Sequence, residues 1–227
     1  MGDDEALCLY MFLSQLFSDP FLAVVTLVAF LIALSVHEAS HALAAYLLGD
    51  KTAQREQRLT LNPLAHIDWT GFVMLVLLGF GWGKPVPFNP YNLRYQRFGP
   101  MLVAAAGPLS NALLAVVAVL GLSVAAPALG FDNGLVLFLT FLAVMSLVLG
   151  IFNLLPIPPL DGSKALLAAL AAPQYAKLRR MIEERGPYLL LVLVAMSLFL
   201  NINVFGWIRA VAFFLFTLLA GLVGVAV

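Results

Sequence analysis

FLAVVTLVAFLIALSVHEASHALAAYLL, residues 21–48, decides the fold of this 227-residue chain. A helix needs about 20 apolar residues to cross the hydrocarbon core of a bilayer. Phe21–Val36, continued through Ala42–Leu48, supplies that length and is interrupted by His37, Glu38 and His41. The rest of the chain has the same character. Hydrophobic residues make up 63% and charged residues only 11%, against roughly half and a quarter in soluble domains. Twelve Lys and Arg balance twelve Asp and Glu, so there is no basic excess of the kind a nucleic-acid-binding face requires. The single Cys8 cannot form an internal disulfide or a Cys-rich zinc site and reads as a spectator thiol.

Further spans are expected at Met101–Ala126 and Leu135–Leu155, and in a final apolar block divided into Tyr188–Leu200 and Val204–Val227 by Asn201 and Asn203. Ala6–Phe17 is apolar but short for a crossing. The acidic start, Asp3, Asp4 and Glu5, lacks the basic region of a signal peptide, so the segment is expected to be retained. Phe72–Phe80, between Gly71 and Gly81, is too short to span and reads as a re-entrant segment or an interfacial hairpin. The expected fold is an all-α polytopic membrane protein. It has about five to six transmembrane helices and a short re-entrant or strand-like segment near 70–87.

Basic residues set the orientation. Lys51, Arg55, Arg58, Lys84, Arg94 and Arg97 lie between the first two long spans, and Lys164, Lys177, Arg179, Arg180 and Arg185 follow the third. The loop Pro127–Gly134 has none. By the positive-inside rule, loops 49–99 and 156–186 face the cytoplasm and Pro127–Gly134 faces outward.

The chemistry concentrates at His37-Glu38-Ala39-Ser40-His41, an H-E-x-x-H motif. On a helix, positions i and i+4 share one face. Two imidazoles so placed can grip one zinc ion while the neighbouring Glu38 reaches an attacking water, whose pKa zinc lowers toward about 7. Two buried, hydrogen-bonded histidines would be the plain alternative, but ionisable groups inside an apolar span are costly and usually functional. A catalytic zinc takes three protein ligands. Asp132 lies on the wrong side of the membrane, which leaves His66, Asp68 and Asp161. Asp161 follows the proline-rich Pro156-Ile157-Pro158-Pro159-Leu160, which cannot continue a helix. It could ligate the metal or cap a helix over Ser163–Leu170. His66 could equally be a structural hydrogen bond that fixes the re-entrant segment. A zinc carrier or transporter should show polar groups on both sides of the membrane, whereas here they gather on the inner side.

The H-E-x-x-H motif in a span, with Asn153-Leu154-Leu155-Pro156-Ile157-Pro158-Pro159-Leu160-Asp161-Gly162 downstream, resembles the site-2 protease family of intramembrane zinc metalloproteases. Gly49-Asp50-Lys51-Thr52-Ala53, Arg58-Leu59-Thr60-Leu61-Asn62-Pro63, Gly83-Lys84-Pro85-Val86-Pro87 and Ala106-Gly107-Pro108-Leu109-Ser110-Asn111 are similar to its compact prokaryotic members. The resemblance covers about Asp19 to Leu170. It implies a single membrane-embedded metalloprotease domain over 1–227, with a catalytic core at about 19–170 and C-terminal spans at 187–227. It implies one zinc ion held by His37, His41 and Asp161, with Glu38 as general base and acid. Asn153 would position the scissile peptide or its oxyanion, where an amide donor is worth a few kcal/mol. Asn111 is a candidate for contact with substrate, or else for helix packing. Segment Thr70–Pro87 would border the substrate path and offer its backbone to an unwound substrate. The implied substrate is a single-span membrane protein, pre-cut by another protease and cleaved near the cytoplasmic side of a prokaryotic inner membrane. The bilayer is then a partner and nucleic acid is not. The PDZ-type and nucleotide-binding domains of larger members have no counterpart in these residues.

Overall fold

The computed structural model describes residues 17–200 and 202–225. Cys8, Asn201 and the segment Ala6–Phe17, Phe17 excepted, lie outside them. Helix α1 (Pro20–Leu47) begins where the Asp19 side chain accepts the Leu22 backbone N–H at 3.0 Å, with Pro20 in the first turn. Its 28 residues make a rod about 42 Å long, which exceeds the hydrocarbon core. The helix stops before Gly49, whose φ of +109° suits a residue without a Cβ.

Helices α2 (Thr52–Arg55), α3 (Pro63–His66) and α4 (Trp69–Leu78) follow, then α5 (Gly99–Leu129), α6 (Gly134–Asn153), α7 (Gly162–Ala169), α8 (Ala176–Phe199) and α9 (Gly206–Leu222). Three of them, α1, α5 and α6, are long and apolar enough to cross a membrane, as the sequence reading expects. They form the centre of the bundle, and α9 packs on them. Ala29, Ala115, Ala118, Ala143, Ala212 and Ala220 are fully or almost fully buried along these seams, and Phe216 of α9 is buried with them. Lipid chains are as apolar as leucine, so helices associate in a bilayer through close packing of small residues. The bulky Leu109, Leu113, Val117, Leu120 and Val124 of α5 face outward, as a lipid-exposed surface requires.

The two ends of the bundle differ. The turn between α5 and α6 meets the start of α1, since a Cβ on Gly134 would lie 3.0 Å from the Phe21 ring. At the other end, the Arg94 backbone N–H donates to Leu48 O at 2.8 Å, which ties the first basic loop to the close of α1. The buried carboxylate of Asp50 strengthens that tie. It accepts from Thr52 N and Oγ1, from Asn89 N and from Asn92 Nδ2, at 2.7–3.2 Å.

Two elements differ from their sequence-based outline. The Tyr188–Leu200 span is the second half of the 24-residue α8, which starts at Ala176 within the polar segment. The pairs Arg179–Glu183 and Arg180–Glu184 sit at i,i+4 spacing and favour helix there by a few tenths of a kcal/mol each. The apolar run near 70–87 is also helical in its first part. Helix α4 ends at the left-handed Gly79, and the chain returns in extended form with one antiparallel bridge, Ile67 to Gly83. An apolar segment with no partner strand satisfies its backbone best within a helix. The strand-like character is therefore confined to the return.

Candidate functional site

His37 and His41 lie one turn apart on α1, both buried, with their rings edge-to-face at 4.6 Å. Helix α5 closes over them at Gly107, where a Cβ would sit 2.5 Å from the His41 ring and 2.6 Å from the His37 ring. Only glycine permits that approach. Ahead of Gly107, the Val103 carbonyl accepts the His41 Nδ1–H at 2.8 Å. In a neutral imidazole this leaves Nε2 as a bare lone pair.

The third arm comes from the loop after α6. At Gly162 the chain folds back so closely on the Leu154 carbonyl that a Cβ there would overlap it. Asp161 occupies the N-cap position of α7, yet its side chain caps nothing. The carboxylate turns to the histidines instead: Oδ2 stands 3.1 Å from His37 Nε2 and 3.2 Å from His41 Nε2. One ligand atom from each of the three residues falls within 4.8 Å of the others.

This arrangement fits zinc on two grounds. With zinc–ligand bonds of about 2.0–2.1 Å, adjacent donors of a tetrahedron lie about 3.3 Å apart, close to the observed spacings. The second ground is electronic. In the neutral ring a lone pair on His41 Nε2 faces an anionic oxygen, a contact that becomes attractive when a metal ion or a second proton lies between them. An outer hydrogen bond from the second ring nitrogen to a carbonyl is also how metal-ligating histidines are usually oriented.

Glu38 is half-buried beside this cluster and makes no hydrogen bond or ion pair with other described residues. Its carboxylate is therefore available to a water or a substrate. Leu34, four residues earlier on the same face, touches the extended return at Gly83, where a Cβ would lie 3.0 Å from Leu34 Cδ1. The return from α4 thus passes one helical turn from Glu38.

The other residues singled out by the sequence fall elsewhere. Asn153 ends α6, half-buried, and its Nδ2 donates to Leu149 O at 3.0 Å within its own helix. Asn111 is fully buried and donates to Ser146 O at 3.3 Å across the α5–α6 seam. His66 is fully buried, its Nε2–H donates to Thr60 O at 2.8 Å, and it is not part of the ligand group. Asp68 caps α4 through Gly71 N at 2.9 Å. Asp132 is exposed in the turn at the opposite end. Nothing in the sequence marks the Val103 carbonyl, because backbone atoms carry no residue signature. Gly107 is visible there only as part of a motif, although its lack of a Cβ is what admits the imidazoles.

Comparison with known proteins gives a family and its relatives. The sequence model of peptidase family M50 matches residues 122–200, the part that contains Asn153 and Asp161. The chain is 38% identical over 180 residues to YwhC of Bacillus subtilis (strain 168), named as a candidate zinc metalloprotease, covering 77% of this chain and 80% of that protein. It is 32% identical over 207 residues to Rip2 of Mycobacterium tuberculosis (strain H37Rv), named in the same way, covering 86% of this chain and 74% of that one. No solved structure matches it.

Proposed function

The chain belongs to peptidase family M50, the zinc metalloproteases of the site-2 type, and from that membership we propose that it cleaves a transmembrane segment of a single-span membrane protein near the cytoplasmic side of the bilayer. The observation that carries this reading is the departure of the Asp161 carboxylate from its helix cap to the paired histidines.

In the proposed mechanism His37, His41 and Asp161 hold the metal. Zinc, when bound, supplies Lewis acidity that polarises the scissile carbonyl and acidifies an attacking water. Glu38 accepts the proton from that water on a carboxylate oxygen as the oxygen attacks the carbonyl carbon. It then delivers the proton to the leaving amine nitrogen as the C–N bond breaks. The Asn153 amide, whose Nδ2 keeps a second N–H beside the one given to Leu149 O, stabilises the developing oxyanion.

A transmembrane helix hides its peptide bonds in its own hydrogen bonds, so the substrate must unwind before attack. The extended return past Gly83 lies close enough to the site to receive an unwound strand. The segregation of the basic loops at the end of α1 that carries the site supports a cytoplasmic position for both, and the bacterial relatives favour the inner membrane of a prokaryotic cell. The substrate is expected to arrive already shortened by another protease, in a two-step, regulated sequence.

The test is Glu38→Gln in the purified chain, assayed on a single-span substrate with metal content measured in parallel. Loss of cleavage by about 10²–10⁴-fold with zinc retained is the expected outcome. Retained proteolysis would sink the mechanism.

A further inference from the structure

A second polar site lies away from the metal ligands, where α2 and α3 meet the return from α4. It is a cavity of about 520 Å³ with Glu56, Arg58, Asp68, Trp69 and Lys84 in its wall. Arg58 is only 4% exposed. One of its N–H groups donates to the Lys84 carbonyl. A buried cation in a cavity wall is costly to desolvate, and an anionic group placed against that wall would offset the cost.

The charges define what the ligand carries. Arg58 and Lys84 are positive, and Glu56 and Asp68 are negative. A simple anion would meet two carboxylates and a simple cation would meet a guanidinium. The matching group carries both signs.

The apolar surroundings define the rest. Trp69 at the rim is 69% exposed, and Val73 and Leu77 continue the same face of α4 at i+4 and i+8, 50% and 49% exposed. Leu64, also exposed, lines the same cavity as Trp69. A rim tryptophan is the usual marker of the headgroup level of a membrane. The stripe below it forms a track along which an acyl chain can lie.

We propose that this cavity binds the headgroup of a zwitterionic phospholipid with a primary ammonium, phosphoethanolamine. The phosphate lies on Arg58 and Lys84 and the ammonium on Glu56 and Asp68, with the acyl chains running down Trp69, Val73 and Leu77. A bound lipid there would brace the return segment, because Arg58 and Lys84 are already joined through the Lys84 carbonyl. The proposal is independent of the zinc chemistry.

Native mass spectrometry and thermal melting of the detergent-purified full chain test it, with phosphatidylethanolamine, phosphatidylglycerol, phosphatidylcholine and soluble phosphoethanolamine as probes. Phosphatidylethanolamine should be retained preferentially. Phosphatidylcholine should bind less well, since its quaternary ammonium has no N–H to donate. Soluble phosphoethanolamine should bind far more weakly, since it lacks the chains. Glu56→Gln and Lys84→Ala, both at exposed side chains, should each weaken retention about tenfold without changing the melting of lipid-free protein. Equal retention of the three lipids would overturn the proposal, as would variants that bind like the parent chain. Retention of a basic juxtamembrane peptide with none of the lipids retained would overturn it too, and would assign the cavity to a flank of the protein substrate.

Discussion

Two histidine–aspartate pairs in this chain behave in opposite ways. His66 and Asp68 sit at the entrance to α4; His41 and Asp161 meet at the start of α7. Both aspartates occupy N-cap positions. Asp68 caps, accepting Gly71 N at 2.9 Å, whereas Asp161 leaves its helix uncapped and faces two imidazoles. The histidines differ in the same sense. His66 directs Nε2 at the Thr60 carbonyl, so that nitrogen carries the proton and the ring works as a fastener. His41 gives its Nδ1–H to the Val103 carbonyl, which leaves Nε2 bare before a carboxylate. A polar side chain that pairs only with backbone donors and acceptors is structural. One whose lone pairs face each other needs a cation.

Exchange of the two aspartates for asparagine is the harshest trial of this contrast. Asp161→Asn should empty the zinc site and abolish cleavage, as metal analysis and a proteolysis assay would show together. Asp68→Asn should keep zinc and cost about 1 kcal/mol of stability or less, because asparagine also caps helices. Equal zinc content in both variants would erase the distinction.

Gly107→Ala probes the closeness of α5 to the imidazoles. The added methyl must push the rings or the helix away, costing about 1–3 kcal/mol and lowering zinc affinity by about 10–100-fold, as a metal-competition titration would read. His66→Ala should cost a similar 1–3 kcal/mol through the orphaned Thr60 carbonyl but leave zinc affinity unchanged. A fall in zinc affinity there would mean that the fastener and the site are coupled.

Asp50 extends the comparison to a carboxylate satisfied entirely by protein donors. Burial pushes its pKa up, but hydrogen bonds from Asn92, Thr52 and Asn89 outweigh it and hold the pKa below the usual carboxylate range. A folded-state pKa that is depressed contributes stability at pH above the unfolded value, near 3.9. That contribution is lost as pH falls through the folded value. Melting curves from pH 7 to pH 3 should therefore show Asp50→Asn less stable at neutral pH by about 1–2 kcal/mol, with the gap narrowing below pH 4. A gap independent of pH would show that the charge of Asp50 contributes nothing.

Much of this was legible in the residues. The apolar runs located α1, α5 and α6 to within a few residues, because crossing a bilayer imposes a length that composition must meet. The i,i+4 spacing placed the two histidines on one face, because helical periodicity is local. The extent of α8 was less visible, since its charged first half lacks an apolar signature and is helical through i,i+4 pairs. The helical state of Trp69–Leu78 was ambiguous for a related reason: a short apolar run suits a helix or a strand until its neighbours are known.

Sequence alone determined that this is an α-helical membrane chain with a zinc-type histidine pair in its first long span. Tertiary structure decided between the two uses of Asp161. Its carboxylate can either cap α7 or meet the histidines, and both are compatible with its position before Gly162. The choice depends on the chain folding back on Leu154 at Gly162 and on α5 approaching at Gly107. Those contacts join residues far apart in the chain, and no local pattern encodes them.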